Sequence, residues 1–342
     1  MSGHESAIAT LMAARSKAVA WLLQAIESDG RPLGSEQGNG WTRVPWALSL
    51  SGETAVAEAV MEWALREGLD GRGAFREGPA LGAGQWIPYK LGQLVMGALQ
   101  LGRYDAAEPM LDRLEEMQLP NGGLPIEPLG SDFADITEMT STAQAGLAAL
   151  RGGRMDMARR CRDWVMECLD AQPEFPHRLY AGRIGDTLMT ELPERFAWLL
   201  RVEFDKPRQC YFQSAIAAAF LGYYAMRTGD QEALAGGHRC LLTSIEGTDE
   251  QFTDLTSVQA CKFGWAVAVM AVADPAATYD AHMVRMADWF ADRQESDGSW
   301  GPSKFMSPSP SMVDLVMKTA EHAMEVSELV AGLAAVRARQ MR

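Results

Sequence analysis

The sequence predicts an all-α protein built as an (α/α)6 toroid, in which six outer helices surround six inner helices. Three observations support this prediction. Apolar residues recur at helical spacing along most of the 342 residues, and no alternating strand pattern competes with them. Charged amphipathic segments alternate with segments rich in small and apolar residues. A short motif also recurs where outer helices end.

The two kinds of segment define the two rings. The charged segments need water on one face and are expected outside; they span residues 11–27, 53–67, 105–117, 155–171, 231–246 and 279–293. The apolar segments are expected inside; they span residues 41–50, 88–101, 137–150, 211–226, 256–273 and 319–337. Tight glycine-containing turns lead from inner to outer helices, and longer loops lead back. No low-complexity linker interrupts the pattern, so we expect one toroid domain over residues 1–342.

One stretch departs from the alternation of helices. Residues 172–209 contain four prolines and are too long for a simple turn. We expect an irregular insertion that forms a flap, with a short hairpin or an extra helix around residues 191–202.

The recurring motif combines a glutamine, a tight turn and an aromatic residue. Its clearest copy, residues 290–300, follows the pattern aromatic-x3-Gln-x3-Gly-x-Trp, and weaker copies lie at 114–124 and 22–30. A glutamine at a helix C-terminus can bond free carbonyl groups there. Asp-Gly accepts a positive φ. We expect the Trp300 turn to pack against a neighbouring helix pair.

This motif resembles the Gln-Trp repeat of squalene–hopene cyclases and related terpenoid-cyclase-like α/α-toroid proteins. The resemblance implies the toroid fold over most of the chain. Class II terpene cyclases carry Asp-x-Asp-Asp-Thr before a comparable inner helix, whereas the matching stretch here retains only Asp135 of those acids. The aspartate-rich metal-binding motif of class I terpene synthases is also missing. The resemblance therefore does not imply the family's protonation mechanism.

Composition limits the classes of partner and cofactor. The net charge of −14 argues against nucleic acid or an anionic membrane as the main partner. No apolar run has the length of a membrane span, and the first residues do not resemble a signal peptide, so we expect a cytoplasmic protein. Five scattered cysteines and five histidines show no ligand spacing, which predicts no metal and no cofactor. A homodimer remains open.

The candidate binding residues lie where inner helices begin. In a toroid these N-termini point to one face, where helix dipoles aim their positive ends into a funnel. Gln85 is one polar candidate there. The predicted substrate-binding residues are Trp41, Arg43, Trp46, Trp86, Tyr89, Lys90, His177, Arg183, Tyr211, Gln213, Gln259, Lys262 and Trp265. Lys262 lies in an apolar helix and needs either a carboxylate or an anionic ligand.

The candidate catalytic residues are acids and a histidine on two inner helices. Asp132, Asp135 and Glu138 are three residues apart and share one face if the segment is helical, which would retain a proton on one of them. Alternatively, Asp135 caps the third inner helix and Glu138 completes a capping box. Glu321 and His322 lie on the last inner helix, which is roughly opposite the third inner helix in a six-pair ring. A histidine beside a carboxylate can exchange protons near neutral pH.

Three functions remain open at this point. The first is a cofactor-independent cyclase, isomerase or lyase that uses acid–base chemistry on a largely apolar small molecule in the central cavity. The second is a glycan-active (α/α)6 lyase or unsaturated-uronyl hydrolase, with tryptophans stacking on sugars. The third is a non-catalytic toroid that binds a ligand or protein. A cavity with several ionisable groups argues against the third.

Overall fold

The computed structural model describes residues 3–76 and 86–341, so the candidate Gln85 lies outside the described residues. The predicted (α/α)6 toroid is confirmed. Its outer ring consists of α1 (Gly3–Gln24), α3 (Thr54–Trp63), α5 (Tyr104–Met117), α7 (Met155–Asp170), α10 (Gln231–Ile245) and α13 (Asp280–Asp292). Its inner ring consists of α2 (Val44–Leu50), α4 (Ile87–Gln100), α6 (Met139–Arg151), α9 (Phe212–Thr228), α12 (Cys261–Ala273) and α14 (Met312–Gln340).

The inner ring closes on itself. Each inner helix packs against the next along the chain, from α2 through α12 to α14, and α14 packs back against α2. Among the described residues, two short helices lie outside this scheme: α8 (Glu194–Leu200) and α11 (Glu250–Thr253). A 3-10 turn, Gly40–Arg43, precedes α2, and a π-helical turn, Ala64–Gly68, follows α3. None of the described helices combines the length and the apolar character that a membrane crossing requires.

Four inner helices begin two or more residues away from the predicted start. One is α2, predicted from residue 41, which begins at Val44 after a 3-10 turn. Residues 136–138 form strand β1 (Ile136–Glu138), so α6 starts after them at Met139. Turns occupy residues 256–260, which delays α12 to Cys261. The last inner helix starts earlier than predicted, because Ser311 and Asp314 form a reciprocal capping box at its N-terminus.

The insertion predicted at 172–209 contains strands as well as the extra helix. Strands β2 (Arg178–Tyr180) and β5 (Arg201–Glu203) form one antiparallel pair. Strand β3 (Gly182–Ile184) pairs with β1 on one side and with β4 (Thr187–Leu188) on the other. Helix α8 lies within the stretch predicted as a hairpin or helix. The three-stranded sheet thus joins the insertion to β1, the strand directly before the N-terminus of α6.

The recurring turn joins neighbouring outer helices. Gln294 Nε2 donates to the carbonyl oxygen of Ala14 on α1 at 2.8 Å and to that of Gly298 at 3.0 Å. Trp300 is fully buried, and its indole N–H donates to the carbonyl oxygen of Phe290. The predicted packing of the Trp300 turn against an adjacent helix pair is therefore confirmed, and it closes the outer ring between α13 and α1.

The weaker copy of the motif makes the same contacts halfway around the ring, between α5 and α7. Gln118 Nε2 donates to the carbonyl oxygens of Gly122 at 2.8 Å and of Met157, on α7, at 3.3 Å. Gly122 has φ 85°, and a Cβ there would lie 2.5 Å from the carbonyl oxygen of Arg160. Glycine is needed at this position for two reasons: the left-handed backbone conformation and the close approach of the next outer helix.

Candidate active site

The six inner helices surround a cavity of about 340 Å³ at their N-terminal ends. Every inner helix, or the residues just before it, contributes to its wall, as the sequence analysis expected of a funnel. The lining residues are Gln37, Gly38, Asn39, Gly40, Arg43, Trp86, Tyr89, Lys90, Thr140, Phe212, Val258, Gln259, Cys261, Lys262, Val313, Asp314, Met317, Lys318 and Glu321.

A buried carboxylate, Glu321, lies at the centre of the polar side of this cavity. It forms ion pairs with Lys262 and Lys318, and Arg43 Nε lies 3.4 Å from its Oε1. The Tyr89 hydroxyl donates to the same oxygen at 3.3 Å. Four side chains from four inner-helix regions are therefore oriented by one carboxylate.

This environment fixes the charge of Glu321. Burial alone would raise its pKa, but Lys262, Lys318 and Arg43 lower that pKa well below its usual value. Burial lowers the pKa of Lys262, but Glu321 and Glu325 raise it well above its usual value. The carboxylate is thus held ionised and is unsuited to accept a proton near neutral pH. Its evident effect is to order the cations around it.

Lys90 is the cavity cation whose charge can change near neutral pH. It lies on α4, one residue after Tyr89, and is partly buried. Burial, together with repulsion from Arg43, lowers the pKa of Lys90 to about 8. An amine with this pKa can donate or accept a proton at physiological pH. Among the described cavity-lining residues, it is the best placed for proton transfer.

Of the predicted catalytic residues, only Glu321 lines the cavity. Asp132 and Asp135 are exposed, and the prediction that they share a helix face with Glu138 is wrong, because Glu138 is in strand β1. The predicted capping box is also wrong in detail. Glu138 itself is the N-cap of α6, accepting bonds from the backbone N–H groups of Thr140 and Ser141. Burial raises the pKa of Glu138.

His322 lies behind the cavity, in the aromatic core. Its ring centroid is 5.3 to 5.9 Å from those of Trp289, Phe290 and Trp300, and neither ring nitrogen has a hydrogen-bond partner in the described structure. Burial and the charge of Lys318 lower the pKa of His322 well below its usual value. His322 therefore does not face Asp135 and Glu138 across the cavity, as was expected from the sequence.

The predicted binding residues fall into three groups. Those that line the cavity are Arg43, Trp86, Tyr89, Lys90, Gln259 and Lys262. Those buried in the helical core are Trp41, Trp46 and Trp265, and those that belong to the insertion or its contacts are His177, Arg183, Tyr211 and Gln213.

The third group, in the insertion and its contacts, has structural contacts or lies on the surface. Arg183 Nη1 lies 2.8 Å from Glu167 Oε2, and the Tyr211 hydroxyl donates to the carbonyl oxygen of Lys206 at 2.7 Å. Gln213 donates to the carbonyl oxygen of Leu199. His177 is exposed. None of these four residues lines the cavity, and their role in binding a substrate stays a prediction.

Some lining residues were not predicted from sequence. Val313 and Met317 line the cavity one turn apart on α14, followed after another turn by Glu321. The signal was available in the capping pair Ser311 and Asp314, which sets the true start of α14. Phe212, by contrast, is one apolar residue among many and carries no distinguishing pattern.

One cluster has the composition of a metal-ligand set, although none was predicted. Cys261, His322 and Glu325 each offer a ligand atom, and these atoms lie within 4.8 Å of one another. Sequence spacing could not reveal this group because α12 and α14 meet only in the fold. Lys262 already donates to Glu325 Oε1 at 2.5 Å. Burial also raises the pKa of the Cys261 thiol, which favours its protonated form.

The fold and the cavity together define an α/α-toroid protein with a charged central pocket. No family model and no curated protein sequence matches the chain. Several solved structures are similar to it in fold. A variant of the type II terpene cyclase MstE from Scytonema, bound to geranylgeranyl dihydroxybenzoate, is similar over 97% of this chain and 99% of its own, with 13% identity and a TM-score of 0.61.

Two glycoside hydrolases have the same architecture. The GH76A α-1,6-mannanase from Salegentibacter sp. HEL1_6 is similar over 94% of this chain and 99% of its own, with 12% identity and a TM-score of 0.60. A GH76 α-mannanase from Bacteroides thetaiotaomicron is similar over 96% of both chains, with 10% identity and a TM-score of 0.61. At these identities the likeness shows the α/α-toroid fold alone.

Proposed function

We propose that the protein is an enzyme that uses acid–base chemistry, without a metal or other cofactor, to cyclise, isomerise or cleave a small organic molecule in the central cavity. The observation that carries this proposal is Lys90: a lysine with a pKa of about 8 lines a cavity whose other cations are ordered by Glu321. Groups whose environments separate their pKa values are typical of acid–base sites.

The roles of the two residues differ. Lys90 is the proton-transfer group, because its amine and ammonium forms coexist near neutral pH. Glu321 is a positioning residue, since it stays ionised and holds Arg43, Tyr89 and Lys318 around the cavity. This assignment replaces the acid pair Asp135 and Glu138 that the sequence suggested.

The walls suit a compact, partly apolar substrate. Trp86, Phe212, Val258, Val313 and Met317 supply apolar surface around the polar groups. The similar fold of a terpene cyclase is compatible with cyclisation. It does not distinguish cyclisation from isomerisation or cleavage.

The glycan-active alternative receives less support from the same geometry. Stacking on sugars was expected of Trp41, Trp46, Trp86 and Trp300. Trp41, Trp46 and Trp300 are buried in the protein, and only Trp86 lines the cavity. A non-catalytic toroid also fits poorly, because buried ionisable groups are costly to maintain and cluster at functional sites.

The test is turnover of a library of small organic acids and their neutral analogues, followed by mass spectrometry for isomeric, cyclised or cleaved products. Lys90→Met should lower turnover by about 10²–10⁴-fold, the usual contribution of a positioned acid or base. Lys17→Met makes the same chemical change on the exposed face of α1 and should leave turnover unchanged. Equal turnover in both variants would remove Lys90 from the mechanism.

A further inference from the structure

We infer that the cavity recognises its substrate through a single carboxylate group on an otherwise uncharged organic body. The inference rests on the proposed function, because it names the substrate class for the same cavity. Three features of the described residues support it: the balance of charge, the hydrogen-bond donors that lack partners, and the apolar remainder of the wall.

The balance of charge leaves a deficit of one anion. The cations around the cavity are Arg43, Lys90, Lys262 and Lys318, and the carboxylates are Asp314, Glu321 and Glu325 beneath them. With each group in its charged form, these described residues carry one unit of excess positive charge. Burial raises the pKa of Glu325 to about 7, so this balance applies above that pH. This local excess opposes the overall charge of −14, so it attracts an anion to one place on an acidic protein.

Donors without partners point to the same place in the fold. Arg43 is only 7% exposed; its Nε faces Glu321 Oε1 at 3.4 Å, but its Nη1 makes no hydrogen bond among the described residues. The buried Thr140 hydroxyl, which also lines the cavity, has none either. Lys90 has no carboxylate partner in the described part of the chain. A buried donor left unsatisfied is costly, so these two buried donors, beside the ammonium group of the partly buried Lys90, favour an acceptor ligand in the cavity.

The size of the excess selects among anions. Above about pH 7, where Glu325 is ionised, a carboxylate with one negative charge neutralises the cavity, whereas a phosphate monoester carries about 1.5 to 2 and would leave excess negative charge beside Glu321. A diphosphate would leave more. Uncompensated charge in a buried site is costly. A carboxylate also offers two oxygens in one plane, which suits a guanidinium such as that of Arg43.

Direct binding of three probes of similar shape tests this inference by isothermal titration calorimetry. Benzoate carries the carboxylate, benzamide is its neutral analogue, and phenyl phosphate is the phosphate analogue. We expect benzoate to bind at least about tenfold more tightly than benzamide, since a hydrogen bond to a charged group contributes about 1.5–3 kcal/mol. Thr140→Val and Lys90→Met should each weaken benzoate binding by roughly the same factor, and Lys17→Met should not.

Each outcome decides the matter. Equal binding of benzoate and benzamide, or no binding of either, overturns the inference. Tighter binding of phenyl phosphate than of benzoate overturns the choice of carboxylate. Because this assay needs no turnover, benzoate selectivity without any converted substrate would count against the proposed enzyme while leaving the carboxylate site intact. Turnover of neutral molecules alone would support the proposed enzyme and overturn the carboxylate site. Circular dichroism of each variant verifies that it is folded.

Discussion

Lys262 on α12 donates to Glu325 on α14 at 2.5 Å, with both side chains almost fully excluded from solvent. The same ammonium group bonds Glu321, so one lysine compensates two buried carboxylates. A lysine in so apolar a helix needs either an internal carboxylate partner or an anionic ligand. The structure contains the salt bridge at the edge of the cavity.

Removing Lys262 should strongly destabilise the protein. Lys262→Met leaves Glu325 buried without its cation, and breaking a buried ion pair from one side costs about 3–5 kcal/mol. The free energy of unfolding, measured by urea denaturation, is the readout. Lys17→Met is the matched control on the exposed surface and should cost within about 0.5 kcal/mol. If the two variants lose similar stability, the buried pair does not contribute as described.

The glycine turns offer a separate test of how the ring closes. Gly298 has φ 95°, and a Cβ there would lie 2.6 Å from the carbonyl oxygen of Lys17 on α1. Gly52 has φ 89° with nothing within 4 Å of the same position. Gly52→Ala should cost about 1–2 kcal/mol through backbone strain alone.

Gly298→Ala adds a collision to the same strain, so its loss of unfolding free energy should be clearly the larger. Urea denaturation of both variants gives the comparison directly. Equal losses would mean that the approach of α1 is loose and that the Gly298 turn does not close the outer ring.

The sequence predicted the fold well because periodicity reports it directly. Alternating charged and apolar helices defined both rings, and the motif ending in Trp300 identified the contact that closes the outer ring. Helix starts were less accurate. Glu138 was expected inside a helix, but it lies in strand β1 and pairs there with Gly182 of strand β3. This contact depends on a segment far along the chain.

The site was predicted in part, for a related reason. Residues at the start of a predicted inner helix, such as Tyr89 and Lys90, do line the cavity. Sequence could not determine that Trp41 and Trp46 turn into the core, because side-chain direction depends on packing between helices. Nor could it identify Glu321 as the partner of Arg43, since ion pairs between distant helices leave no spacing in the chain.

Zinc should bind poorly to the cluster of Cys261, His322 and Glu325. A divalent cation would enter a region that already has excess positive charge, and it would compete with the Lys262 ammonium for Glu325. It would also require a thiolate, although burial raises the pKa of Cys261. We expect substoichiometric zinc by inductively coupled plasma mass spectrometry and benzoate binding that survives a chelator. One equivalent of zinc that is lost in Cys261→Ser would contradict this.

Proton binding by Lys90 should appear in the pH dependence of ligand affinity. Its ammonium form attracts the carboxylate, and its pKa is about 8. The affinity for benzoate should therefore be nearly constant at lower pH and fall as pH rises through 8, in calorimetric titrations over that range. Lys90→Met should bind more weakly but lack this fall. The same fall in both proteins would assign the titration to another group.

The same pKa shift should make the stability of the protein depend on pH without any ligand. Burial and Arg43 lower the pKa of Lys90 from 10.5 to about 8 in the folded protein, so the unfolded chain binds this proton more tightly. The free energy of unfolding should consequently rise with pH between about 8 and 10.5, where only the unfolded state remains protonated. Other groups also titrate in this range, so the measured quantity is the difference between the native protein and Lys90→Met at each pH. As pH increases, the native protein should become more stable relative to Lys90→Met. Its stability relative to Lys17→Met should not change with pH. A flat difference for Lys90→Met would show that its ammonium is not held in an unfavourable environment.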